Sequence, residues 1–346
     1  MKLGLIGALM AHAFLACAQA NSAALDLAAF QETDGAIPVV SGGDSVDPYF
    51  AIRALLSARQ TGLDIGQVAP AWIDWLLARQ QPDGSFPRFC RINEQWEVCA
   101  VADADDALVA LWASLLFASA QCGELPPDWE KSARLALRKL NSLLDKKTGV
   151  YHISEALPVS LFMDNVEIYA ALRDIAQQQR CMRKPHAARN TLLSASRLRL
   201  AIKHTFHRSK AGHFEVSTQQ ATDMAQFYPG QVAQIYPVLL RMGDPKALKM
   251  LFAAWMYRYG DIWLAQEQDV YPWGMVALAA HEVGDRKTVA CWLLQAQALR
   301  HSPRWNVLEE AAWQALQPRT EGADQCARTL PAAPGAAVPD ATRSPM

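Results

Sequence analysis

Two short acidic segments carry the residues most able to do chemistry. Asp103-Ala104-Asp105-Asp106 and Met163-Asp164-Asn165 each place carboxyl groups at the start of a strongly apolar segment. When two carboxyls lie close together in a partly apolar cleft, the pKa of one rises, so one group can act as an acid and the other as a base. We therefore predict Asp105, Asp106 and Asp164 as catalytic residues.

The same carboxyl groups have a structural explanation. Asp103 with Asp106, and Asp164 with Glu167, have the spacing of an N-cap and a third-position residue, and Asp47, followed by proline, fits an N-cap. Capping alone would account for any single segment. Three acidic segments at one end of a fold would repel one another, however, and that cost favours a ligand or a proton that uses them.

A second set of residues combines aromatic rings with carboxyl groups. Flat aromatic faces stack on sugar rings, and a pair of carboxyls can cleave a glycosidic bond, one protonating the leaving oxygen and the other activating water. The same aromatic rings could instead fill the centre of the fold. We predict as substrate-binding residues Asp44, Trp96, Tyr228, Asp269, Tyr271 and Trp273.

Helices must position these side chains, because apolar residues recur at three- and four-residue spacing between about residues 24 and 317. One kind of helix is apolar on all sides, which is typical of a buried helix, and begins near Asp44, Asp103, Asp164, Tyr228 or Tyr271. The other kind is amphipathic, as on a surface, and covers 67–80, 128–145, 188–207, 245–258, 286–300 and 304–317.

The two kinds of helix alternate in units of about 40–60 residues, which indicates repeated helical hairpins. The predicted fold is all-α, an alpha/alpha toroid of five to six helical hairpins. The apolar helices would form an inner barrel whose helices all begin at one rim. That rim would collect the acidic and aromatic residues named above.

Short motifs resemble known enzyme families. The segment Asp103–Leu111 resembles the D-x-D and apolar helix of glycoside hydrolase family 8. Gly149-Val150-Tyr151 with Met163-Asp164-Asn165, and Tyr271-Pro272-Trp273, are similar to rim positions of the wider six-hairpin glycosidase superfamily. The resemblance implies hydrolysis of a polysaccharide, such as an exopolysaccharide or a beta-glucan. Ser41–Ser45 stands where family 8 has a glutamate, so the general acid stays open.

Other functions are compatible with parts of the sequence. Asp103–Asp106 also has the D-x-D-D form of class II terpene cyclases, and Trp75–Phe86 is similar to their Gln-Trp repeat, but a single repeat in a chain of half their size favours glycan cleavage. A polysaccharide lyase and a non-catalytic glycan-binding or secretion-accessory protein remain alternatives. No phosphate-loop or zinc motif is visible, so we expect no cofactor and no metal.

The N-terminus and the overall charge indicate an exported protein that does not bind nucleic acid. Lys2, the apolar stretch 3–15 and Ala18-Gln19-Ala20 form a signal-peptide pattern over residues 1–20, and Cys17 offers a lipoprotein alternative. We therefore expect a periplasmic or secreted protein that could act with a polysaccharide synthesis or export machinery. The net charge of -1 provides no basic field for nucleic acid.

The cysteines and the C-terminal composition complete the expected organisation. Cys90 and Cys99 flank a short segment and are predicted to form a disulfide in an oxidising compartment, the alternative being two buried thiols. Residues 21–317 would form the toroid. Residues 318–346 are rich in proline and alanine and are predicted to be disordered.

Overall fold

The structure is a computed structural model that describes residues 23–208, 212–317 and 326. The predicted signal peptide and all of the predicted disordered tail except Cys326 lie outside these residues. The described helices are α1 (Pro48–Gln60), α2 (Ala69–Leu77), α3 (Asp105–Ser119), α4 (Pro127–Ser142), α5 (Phe162–Cys181), α6 (Pro185–Phe206), α7 (Tyr236–Leu239), α8 (Pro245–Ala265), α9 (Gly274–Glu282), α10 (Arg286–Gln297) and α11 (Val307–Leu316).

The odd-numbered helices form a closed inner ring. Each of α1, α3, α5, α7 and α9 packs on the next odd-numbered helix, and α11 packs back on α1. The even-numbered helices lie outside, where α4 packs on α3, α6 on α5, α8 on α7 and α10 on α9. The predicted helical toroid is confirmed. Because an outer helix returns the chain between successive inner helices, all inner helices run in one direction and begin at the same end.

Burial explains which helices are inside. Every residue of α3 from Asp106 to Ala118 is buried, so this helix must be surrounded by protein on all sides. In α4, by contrast, acidic and basic residues occupy an exposed face and only a narrow stripe that includes Ala133, Ala136 and Leu140 is buried.

Two helix predictions need correction. The segment 304–317 was expected outside, but α11 is the sixth inner helix, because Glu309 and Glu310, which made it look amphipathic, are both buried and hydrogen-bonded. The helix expected from Gln231 to Leu240 is interrupted. A π-helical turn spans Phe227–Gln231, and α7 is short, with Pro237 in its first turn, where the missing N–H costs nothing.

Five short strands are present among the described residues, although the sequence predicts an all-α fold. β1 (Ser45–Val46), β2 (Arg88–Ile92) and β3 (Gln95–Ala100) form an antiparallel sheet in that order, and β4 (His207–Arg208) pairs with β5 (His213–Phe214). The β2–β3 hairpin turns through Asn93 and Glu94, both with positive φ, as a two-residue hairpin turn requires. Sequence periodicity missed these strands because they are short.

Three disulfides join parts of the fold. The predicted Cys90–Cys99 bond is present and links β2 to β3. Cys122–Cys181 and Cys291–Cys326, which the sequence did not predict, connect the ends of α3 and α5 and attach residue 326 to α10. Among the described residues, none of the helices is long and apolar enough to cross a membrane.

Candidate active site

The beginnings of the inner helices bring polar and aromatic side chains to one end of the ring. We call this end the rim. α1, α3 and α5 contribute carboxyl groups, and the chain before α7 and α9 contributes aromatic rings. The residues that define the rim are Asp47, Tyr49, Arg53, Arg88, Asp103, Asp106, Asp164, Glu167, Tyr228, Asp269, Tyr271 and Trp273.

Asp106 and Asp164 form a coupled pair of carboxyl groups. Burial, followed by the charges of Glu167 and Asp103, raises the pKa of Asp164 to about 8. Burial and the neighbouring Asp164 raise the pKa of Asp106 well above its usual range. The Oδ2 atom of each aspartate is buried and has no hydrogen-bond partner within the described residues. A proton is therefore held on this pair near neutral pH, which is the requirement for a general acid.

Glu167, one turn after Asp164 on α5, is fixed by residues of α1. Its Oε1 atom lies 3.2 Å from Arg53 Nε and accepts a hydrogen bond of 2.8 Å from the hydroxyl of Tyr49. Burial raises the pKa of Glu167, while Arg53 and Tyr49 oppose that rise. Arg53 and Glu167 are both buried, so this ion pair fixes the second turn of α5 against α1.

An aromatic wall lies beside the carboxyl groups. Tyr228 stacks on Trp273 with ring centroids 5.2 Å apart, and Trp273 Nε1 donates a hydrogen bond of 2.8 Å to Asp269. Tyr228 is half-exposed, yet loss of solvent around the phenol and then the charges of Asp164 and Asp103 raise its pKa to about 12. Asp269 adds to the same shift, so the wall and the carboxyl groups lie within electrostatic range of one another at the rim.

The backbone at the start of α9 holds Trp273 in place. Trp273 has a left-handed backbone, with φ of 54°, and Glu309 of α11 accepts a hydrogen bond of 2.7 Å from the next N–H, that of Gly274. A Cβ on Gly274 would lie 2.6 Å from Glu309 Oε2, so only glycine fits there. Burial raises the pKa of Glu309 to about 8, although the backbone N–H groups of Gly274 and Trp273 oppose this rise. Arg304 further braces the loop by donating 3.0 Å to the carbonyl oxygen of Asp269.

The capping interpretation holds for one of the three acidic segments. Asp47 caps α1 by accepting from the Tyr49 N–H at 3.1 Å. The N-caps of α3 and α5 are instead Ala104 and Leu161, neither with a side-chain hydrogen bond, so the expected N-cap pairs at the starts of these helices are wrong. Asp103 is not a cap but forms an ion pair with Arg88, which also bonds Asp47 at 2.9 Å.

Three of the residues predicted from sequence lie away from the rim. Asp105 faces α4, where its carboxylate lies 3.9 Å from Lys139 Nζ, because consecutive helix residues point about 100° apart and Asp106 already faces the ring centre. Asp44 is exposed and lies 3.5 Å from Arg91 Nε. Trp96 packs under the guanidinium of Arg91, on the sheet. The expectation that one cavity mouth gathers Asp44 and Asp105 with the other acids is therefore wrong.

Sequence reasoning missed several residues of this end of the ring. An arginine in an apolar helix is unusual unless it is paired, so Arg53 was a readable signal. Glu167 was read only as a capping partner, and Glu309 lay in a helix assigned to the outside. Of the described residues, no group of three or more His, Cys, Asp or Glu is arranged to hold a metal ion.

Comparison with known proteins identifies the architecture. No family model matches the chain, and no curated protein matches it either. A solved structure described as a wild-type glycosidase aligns with a TM-score of 0.57 at 12% identity, covering 84% of this chain and 92% of that one. The chain has the fold of six-hairpin glycosidases.

Two further solved structures agree with this result. An alpha-amylase from Clostridium perfringens aligns with a TM-score of 0.54 at 10% identity over 84% of this chain and 93% of that one. A rhamnosidase from Klebsiella oxytoca with rhamnose bound aligns with a TM-score of 0.53 at 12% identity over 78% of this chain and 57% of that one. Structural similarity at such low identity shows the fold alone, and the resemblance to family 8 stays a prediction.

Proposed function

We propose that this protein is an exported glycoside hydrolase that cleaves a polysaccharide at the rim by acid and base catalysis with carboxyl groups. The observation that carries the proposal is Asp164, a partly exposed carboxyl whose pKa is raised to about 8 and whose charge acts on Tyr228 of the Tyr228–Trp273 stack. A fold shared with glycosidases supports it.

Asp164 is the proposed general acid. A carboxyl with a pKa near 8 is mostly protonated at neutral pH and can give its proton to the glycosidic oxygen as the bond to the anomeric carbon breaks. Asp106 is fully buried and cannot touch a substrate, so we assign it a positioning role, in which it shares the proton and the charge of the pair.

Asp269 is the proposed base. Its carboxylate is partly exposed beside the aromatic wall and is oriented by the indole N–H of Trp273. Water would attack the anomeric carbon as its proton passes to Asp269, while the leaving oxygen takes the proton of Asp164. Tyr228 and Trp273 would bind the sugar ring by stacking on its apolar face.

Export is part of the proposal. The N-terminal signal-peptide pattern and three disulfides both fit an oxidising compartment such as the periplasm or the exterior. An exopolysaccharide or beta-glucan met there is the proposed substrate, and a polysaccharide synthesis or export machinery is the proposed context.

The test is a panel of polysaccharides incubated with wild-type protein, Asp164→Asn and the control Asp174→Asn. Asp174 lies on the same helix, about 15 Å further along, and pairs with Arg173 at the surface. We expect new reducing ends with wild type and control, and loss of cleavage in Asp164→Asn. Unsaturated products would instead show a lyase, and binding without cleavage would show a glycan-binding protein.

A further inference from the structure

A second cavity lies outside the inner ring, next to the rim. Its volume is about 430 Å³, and it opens between the β2–β3 hairpin, the start of α3 and the last turn of α4. This volume is in the range of ligand sites, about 300–1,000 Å³. The residues that decide its character are Pro87, Val98, Val101, Asp105, Lys139 and Glu155.

One wall of the cavity carries fixed charges. Lys139 is buried, and its Nζ atom lies 2.8 Å from Asp83, 3.3 Å from Glu155 and 3.9 Å from Asp105. Three carboxyl groups thus surround one ammonium group. Lys139 is buried, whereas Asp83 and Glu155 keep half or more of their side-chain surface in water, so carboxylate oxygens stay accessible beside the cavity.

Other residues that line the cavity are apolar and exposed. Val98 and Val101 keep 60% and 83% of their surface accessible, although both line the cavity together with Pro87. A cavity that offers both apolar contacts and hydrogen-bonding groups matches a pyranose ring, which has an apolar face of C–H groups and an edge of hydroxyls.

The cavity adjoins the rim along the segment 101–105. Asp103 in this segment pairs with Arg88 at the rim, whereas Val101 and Asp105 on either side of it line the cavity. Asp106, the next residue, belongs to the carboxyl pair of the rim. The cavity and the rim therefore lie on either side of one short segment of the chain.

We propose that this cavity is a remote subsite that binds sugar units without acidic groups, belonging to the polysaccharide held at the rim. The inference rests on the proposed function. The charged wall would bond sugar hydroxyl or amino groups, and its excess of carboxylates would exclude uronic acids. Binding energy gained here would favour long chains over short ones.

The test blocks the cavity at an exposed position, so that folding is unaffected. Val101→Trp places an indole at its mouth, Asp105→Asn removes a wall charge, and the control Met250→Trp adds an indole on α8, at an exposed site on the other side of the ring. The substrates are the polysaccharide that wild type cleaves best and short and long oligosaccharides made from it. kcat/KM is measured for each.

We expect Val101→Trp and Asp105→Asn to lower kcat/KM about 10-fold on the polysaccharide and long oligosaccharides and to leave the shortest cleaved oligosaccharide unaffected. Unchanged cleavage of long chains would overturn the subsite alone, and a loss of 100-fold or more on every length with Asp105→Asn would make Asp105 catalytic instead. A polyuronate whose cleavage depends on Val101 would overturn the charge preference. Failure of wild type to cleave any polysaccharide would overturn the proposed function as well.

Discussion

Replacing Asp164 by asparagine removes one proton-carrying group and keeps the shape of the side chain. Because a general acid contributes about 10²–10⁴ to the rate, Asp164→Asn should lower kcat on the natural polysaccharide by at least about 100-fold. In wild type the acid must be protonated, so with its pKa at about 8 the rate should fall as pH rises through about 8. Asp174→Asn should keep both the rate and this pH dependence.

The same substitution should stabilise the fold. Folding raises the pKa of Asp164 from an ordinary value near 3.8 to about 8, so the folded state holds more protons between these values and the free energy of unfolding falls as pH rises. A single group of this kind lowers the free energy of unfolding by at most about 1.4 kcal/mol per pH unit. The free energy of unfolding of Asp164→Asn should equal that of wild type near pH 4. It should exceed the wild-type value by a margin that grows toward pH 8.

Urea unfolding of wild type, Asp164→Asn and Asp174→Asn at several pH values between 4 and 8 measures this margin. If Asp164 is a general acid whose burial destabilises the fold, Asp164→Asn will be inactive and more stable than wild type at neutral pH. If Asp164→Asn loses activity and stability together at every pH, Asp164 supports the fold rather than the reaction. If the rate of wild type does not fall as pH rises through about 8, the catalytic proton is not held by Asp164.

Three further perturbations test the surroundings of Asp164. Glu167→Gln removes a charge about 6 Å away, one turn along α5, which lowers the pKa of Asp164, so the alkaline limb of the pH–rate profile should move to lower pH; an unmoved limb would contradict the coupling. Tyr228→Ala removes the exposed ring of the stack, a surface worth about 0.5–1.5 kcal/mol, and keeps the Trp273–Asp269 hydrogen bond, so KM should rise up to about 10-fold with little change in kcat; unchanged KM would remove the wall from substrate binding. In a Cys90→Ser, Cys99→Ser double variant the free energy of unfolding, measured with urea, should fall by about 2.5 kcal/mol, as expected for a disulfide between cysteines nine residues apart. Equal urea midpoints for the variant and wild type would show that the bond adds no stability.

The ring architecture was predictable because burial leaves a direct trace in sequence. Helices such as α3 are apolar on every side, and their regular alternation with charged helices indicates an inner and an outer layer. The prediction failed for α11 because composition does not show whether a glutamate is exposed or buried with a partner. Glu309 finds the Gly274 N–H 35 residues away in sequence.

The sequence indicates which kinds of residue the candidate site holds, but it does not place every side chain correctly. An acidic segment at a helix start identifies the rim, but a shift of one residue turns a side chain by about 100°, which separates Asp105 from Asp106. The Tyr49–Glu167 bond joins residues 118 positions apart, and no local pattern encodes such a contact. Asp44 and Trp96 were misplaced because the short sheet that carries them has no clear periodicity.

The most direct test of Asp164 as the general acid compares two glycosides of the same sugar, one with a poor alkoxide leaving group and one with an activated aryl leaving group. An activated group departs without protonation, so it does not need the acid. The account predicts that Asp164→Asn loses at least about 100-fold in kcat/KM on the poor leaving group and less than about 10-fold on the activated one. Equal losses on both glycosides would contradict it.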